Sequence, residues 1–131
     1  RKENWPEELS NTLQTWQNMP FIWGETDCFH FAVTCINNMT GQNIAEHVEC
    51  RYSTFLGALR QLKKEFNVKT LEEFAASLFD DIQLTQAGRG DLIAYQGALG
   101  ICCGRQSAFM TETQGLHFIE TLQCTHAWRV E

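Results

Sequence analysis

The stretch "PFIWGETDCFHFA", residues 20 to 32, sets a cysteine behind an aromatic turn and at the start of an apolar run. Gly24 allows a tight turn, Asp27 is a good N-cap, and Cys28 then falls in the first turn of a helix. A thiol placed there feels the positive end of the helix dipole, which favours the reactive thiolate and lowers its pKa. Two readings of Cys28 follow: a nucleophile, or the first buried residue of a helix. The first needs an imidazole to take the proton and donors for the oxyanion formed on attack at an acyl carbon.

Four histidines are available. His30 lies two residues after Cys28, so on a helix it points about 200° away from that thiol. His117, in the strand-like run "GLHFIE", is the better base. His47 falls in a connection and His126 near the end of the chain. The acidic pairs Glu72 with Glu73 and Asp80 with Asp81 sit at a helix start and a helix end, where solvated charge is the ordinary outcome.

The six cysteines, at 28, 35, 50, 102, 103 and 124, contain no C-x-x-C. No zinc spacing is present, and they read as small buried hydrophobes in a reducing compartment. A metal or iron-sulfur role for Cys102, Cys103 and Cys124 matches no known spacing, so no cofactor is expected. "GRGD" lacks the G-K-[ST] of a phosphate loop.

The elements that must hold these residues are legible from periodicity. Pro6, Leu9, Leu13 and Trp16 mark a first helix. A second, central helix runs from Asp27 to a stop at Gly41, with Phe31, Ala32, Cys35, Ile36 and Met39 inward. Ser53 or Thr54 caps a third with Phe55, Leu56, Leu59, Leu62 and Phe66 inward, and Thr70 with Glu73 forms a capping box for a fourth. After Gln86, glycines punctuate short runs, "DLIAY", "LGICC", "SAFMTE" and "LHFIETL", that read as strands. The expectation is one α+β domain over residues 1 to 131, a helical N-terminal half packed on a C-terminal antiparallel β-meander.

Bulk properties narrow the partners. With 131 residues, 44% hydrophobic and 20% charged, the chain has the composition of a soluble globular domain. A formal charge of -6 and no basic cluster beyond Lys63 and Lys64 argue against nucleic acid. No apolar run approaches a membrane span, and no secretory leader is visible; Asn38-Met39-Thr40 is then a chance sequon. Trp5 and Trp128 could be exposed interface anchors.

Four landmarks occur in a telling order: "PFIWGETDC", "GRGDLIAY", "ALGICCG" and "AWRV". Together they resemble the NlpC-type branch of the papain-like cysteine peptidases, whose members carry a "Y-x-W-G" turn before a "D-C" helix start, then "GDL" and "HVGIYLG" on strands. The chain is more similar still to small phage tail-associated proteins related to that branch, over residues 16 to 130. The resemblance implies a papain-like (NlpC-type) fold, Cys28 at the nucleophile position and Asp27 beside it. It also places Ala98 where active members have the histidine base, and "SAFMTE" offers only Ser107 where the orienting residue would follow. The resemblance therefore implies a catalytically degenerate domain in the distal tail of a virion, made in the host cytoplasm and docking to tail hub or tip proteins. The alternative is an active cysteine hydrolase that cuts bacterial peptidoglycan during genome entry, with Cys28 as nucleophile and His117 or a partner's residue as base.

Overall fold

The computed structural model describes residues 1–45 and 51–131. His47 and Cys50 lie outside them. The described residues form four α-helices, α1 (Trp5–Trp16), α2 (Cys28–Thr40), α3 (Phe55–Phe66) and α4 (Leu71–Leu78), and six strands. The strands are β1 (Asp80–Ile82), β2 (Leu92–Tyr95), β3 (Ala98–Cys102), β4 (Gln106–Thr111), β5 (Gly115–Glu120) and β6 (His126–Arg129). The class is α+β, as the change of texture after Gln86 predicts.

α2 is the centre because it is apolar nearly all round. Phe29, Phe31, Ala32, Val33, Cys35, Ile36 and Met39 are all buried, the pattern of a helix enclosed on most sides. Gly41 ends it in the left-handed region at φ +78, a conformation that costs glycine little. α1 packs along α2, with Trp16 edge-on to Phe31 at 5.5 Å between ring centroids. The other side of α2 rests on β3 and β4.

α3 corrects one expectation. Thr54 caps it by accepting from the Gly57 N–H at 3.0 Å, but Phe55 is 39% and Leu56 64% exposed, neither turned inward as expected. The helix buries the stripe through Ala58 and Leu62. Leu56 stands about 200° from Ala58 on the helical wheel and falls outside that stripe. At α4 the capping box is displaced by one residue: Thr70 accepts from the Glu73 N–H, while the Glu73 carboxylate accepts from Lys69 rather than from Thr70.

All strand pairs are antiparallel, in the order β1-β6-β2-β3-β4-β5. The expected meander is β2 to β5. β6 crosses back to pair with β2, and β1 closes that side by pairing with β6. Neither β1 nor β6 is among the strands expected from the sequence. Asp80 and Asp81, expected at a helix end, pair instead with Arg129 and Trp128, so long-range pairing decides their conformation. Trp128 is only 2% exposed; it is a core residue on β6 and not the interface anchor its place near the terminus suggested. Trp5 is half-buried, with the Arg1 guanidinium 4.4 Å over its ring.

Asp91, at the end of "GRGD", joins the two ends of the described chain. It is fully buried. Its carboxylate accepts from the Gly88 N–H at 2.9 Å, the Val130 N–H at 3.1 Å and Arg1 Nη2 at 2.8 Å, and Arg129 Nη1 lies 3.4 Å away. The motif is thus a structural corner where sequence reading excluded only a phosphate loop. Asp91→Ala should lower unfolding free energy by about 3–5 kcal/mol, the range for deleting one partner of a buried charge network, measured as a shifted midpoint in urea denaturation.

Candidate functional site

The turn before α2 is built around one carboxylate. Gly24 takes φ +82, which brings its N–H to 2.9 Å from Asp27 Oδ2. Asp27 is the N-cap of α2 and its Oδ1 accepts from the His30 N–H at 3.0 Å. Two side chains complete the set: His30 Nδ1 at 2.7 Å from Oδ1, and the Tyr52 hydroxyl donating to Oδ2 at 2.6 Å. An ionised carboxylate only accepts, so His30 carries a proton on Nδ1. Burial pushes the Asp27 pKa up, but the hydrogen bonds from the His30 ring, Tyr52 and the His30 backbone, with the charge on His30, outweigh it. The net direction is down.

Sequence reasoning missed both side-chain partners. The signal for His30 is its spacing, since a residue three beyond an N-cap lies directly over it. Tyr52 had no signal, because its contact with Asp27 spans 25 positions.

Cys28 follows as the first residue of α2 and is 5% exposed. Its thiol departs from the expected lowering. Burial comes first and the neighbouring Asp27 charge second, and together they push the pKa up to about 12 against the N–H groups of Leu99, Phe29 and Cys28 itself, which favour thiolate. The helix dipole is present, but the capping carboxylate already answers its positive end. Among the described residues, no imidazole has a hydrogen bond or ion pair with Cys28.

The N–H of Leu99 at the Cys28 sulfur brings the start of β3 to the start of α2. Ala98, which the resemblance equates with the base position, precedes that contact and has nothing to accept a proton. Cys28 lies between two spaces. One is an apolar cavity of about 20 Å³ among Phe29, Tyr52, Phe55 and Leu62, room for about one water. The other is an open groove of about 810 Å³ that also reaches Ala98, Phe109 and His117.

His117 shares that groove with Cys28 but does not face it. On β5 it is paired with Phe109, whose side chain belongs to the outer cluster with Ile93, Cys124 and Ala127. Its neighbours on β4, Ala108 and Met110, turn to the α2 side. Directly paired residues share a face, so His117 stands on the face turned away from α2. It is two strands from β3, about 10 Å across the sheet. His126 is exposed on β6, stacked at 5.9 Å on Trp128. Ser107 is buried and bonded to the Thr121 hydroxyl at 2.8 Å. The site thus brings Asp27, Cys28, His30 and Tyr52 together and leaves His117 apart.

Cys102, the last residue of β3, is fully buried and Cys103 just beyond it half-buried. All five described cysteines are free thiols, and the described residues contain no group of three or more His, Cys, Asp or Glu placed to hold a metal ion. No helix among them is long and apolar enough to cross a membrane.

An α+β domain with a carboxylate-capped, buried cysteine at the start of its central helix is the class defined here. A family model described as a domain of unknown function, DUF6950, matches residues 1–130, and the chain belongs to that family. No curated protein matches it.

Two outcomes test the site. Iodoacetamide at pH 8 should alkylate Cys28 far more slowly in the folded protein than in urea, read by peptide mass spectrometry, since the folded thiol stays protonated. Asp27→Asn should lose about 1–3 kcal/mol at neutral pH, because the amide can still cap the helix but loses the charge that the His30 ring, Tyr52 and Gly24 answer and turns an NH2 toward their donors. Because the folded pKa of Asp27 lies below its unfolded value near 3.9, this contribution is fully present above about pH 4. It is lost as pH falls through the folded value, so wild-type and variant unfolding midpoints should converge in acid.

Proposed function

We propose that this chain is a catalytically degenerate domain of papain-like, NlpC-type fold that acts as a docking body in the distal tail of a phage, against hub or tip proteins. The observation that carries the loss of catalysis is the buried Cys28, its pKa pushed up by burial and by the Asp27 charge, with Ala98 at the start of the neighbouring strand and, among the described residues, no imidazole bonded to it. A cysteine hydrolase needs both a thiolate and a base within about 3 Å of it. His30, the imidazole nearest in sequence, has its Nδ1 committed to Asp27, and His117 stands on the far face of the sheet. The meeting of β3 with the start of α2 supports the fold reading, since that is where the resemblance places base and nucleophile. The assignment to a phage tail rests on the joint order of "PFIWGETDC", "GRGDLIAY", "ALGICCG" and "AWRV". On this reading the helix and sheet persist because they shape a surface, and the N-cap persists because α2 needs it.

One feature favours the hydrolase reading: Cys28 lines the open groove. A residue supplied by an adjacent chain could complete a site there. Incubating the purified protein with bacterial cell wall and following muropeptide release separates the two. The expected result is no release above that of Cys28→Ser, with both forms equally able to assemble infectious tails. Release that depends on Cys28, or loss of tail infectivity in Cys28→Ser, would overturn the proposal.

A further inference from the structure

We infer that the open edge of β5, with the groove beside it, takes an extended basic polypeptide segment of an assembly partner as an added strand. The inference rests on the docking reading above and names the chemistry of the partner. Among the described residues β5 ends the sheet and pairs with β4 alone. The Thr121 N–H donates to the Arg105 carbonyl at 2.8 Å just beyond the strand. Antiparallel ladders alternate, so in the register Phe109 with His117 and Ser107 with Ile119 the peptide groups of His117 and Ile119 face β4. Those of Leu116, Phe118 and Glu120 face outward.

The two edges of the sheet differ. β1 is three residues long and carries Asp80 and Asp81, a short charged edge of the kind that resists strand addition. β5 has six residues, GLHFIE, with no proline and no lysine, and Phe118 is 43% exposed. It is therefore an unblocked template for a peptide backbone.

Charge selects the occupant. The groove that runs along β5 is lined by Tyr95, Phe109, Gln114 and Gln123, and the carboxylates in its wall are Glu112 and Glu120, with no lysine or arginine. Glu120 does reach Arg105 at 3.5 Å, but Arg105 is 90% exposed, and such a pair is weak in water. A second copy of this chain would bring the same two glutamates and a further charge of -6, which opposes association. A glycan could stack on the aromatic rings but would leave the outward peptide groups of β5 unmatched. An extended segment alternating apolar and basic residues satisfies all three features at once.

Fluorescence anisotropy with a labelled peptide of alternating Lys and Val tests this, beside a Glu–Val peptide and a Lys–Val peptide methylated on alternate backbone nitrogens. Binding to wild type should weaken as salt is raised. Phe118→Pro removes an outward N–H, which an edge strand tolerates, together with the exposed ring, and is read against Phe118→Ala, which removes the ring alone. Phe118→Pro should weaken binding at least about tenfold, as should backbone methylation, the effect of losing one or two backbone hydrogen bonds. Glu112→Gln with Glu120→Gln should weaken it about threefold and flatten the salt dependence. No binding, equal binding of the methylated or Glu–Val peptide, or undiminished binding to a folded Phe118→Pro protein would overturn the inference. So would a dimer of the chain alone, in sedimentation, that Phe118→Pro abolishes. Mass spectrometry of the recovered peptide keeps the two proposals apart: cleavage overturns the non-catalytic reading and leaves the strand addition standing.

Discussion

The carboxylate of Asp27 is the constraint on which the active-looking end of this molecule depends. Four donors converge on its two oxygens, from Gly24, the backbone and ring of His30, and Tyr52. A buried charge is stable only when its lone pairs are answered in this way. These donors come from three pieces of chain, so one ion fixes the turn before α2, the first turn of α2 and the segment that leads into α3. The same charge sets the state of Cys28. A cap that stabilises the helix also repels a thiolate one residue later, and burial adds to that repulsion.

Cap and nucleophile thus compete for one helix terminus. A cysteine at this position becomes reactive when an imidazolium offsets the neighbouring carboxylate and solvent reaches the sulfur. Here the imidazole of His30 is turned to Asp27, and alanine stands at the start of β3. The polar groups of the turn are consumed in holding it together. On the reading proposed above, degeneracy would have this physical content: hydrogen bonds that could serve chemistry serve local stability.

At the opposite corner Asp91 plays the equivalent part for the sheet. It joins the turn before β2 to Val130 and to the guanidinium groups of Arg1 and Arg129, and so holds the central strands against the last one. The outer face divides accordingly. Around Ile93, Phe109, Cys124 and Ala127 it is closed by a small apolar cluster; toward β5 it opens into the groove. The closed and the open halves of this face are adjacent, which on the docking proposal would suit a surface that meets a partner without rearranging.

Much of this was legible in the chain itself. The helix starts at Asp27, Thr54 and Thr70 and the stop at Gly41 follow from local chemistry, since caps and left-handed turns are decided within a few residues. The four strands β2 to β5 were visible because glycines and apolar runs punctuate them. What only the tertiary structure decided depends on contacts between distant positions. Asp80 and Asp81 became a strand because β6 pairs with them, and Trp128 became core because β6 lies inside the sheet rather than at its margin. Tyr52 meets Asp27, and His117 turns away from α2 through the register of β4 with β5. Above all, the sequence placed Cys28 where a helix dipole favours thiolate, whereas its ionisation was decided by the burial and the charge around it. A local field can be read from spacing; the dielectric and the neighbours that oppose it exist only once the chain has folded.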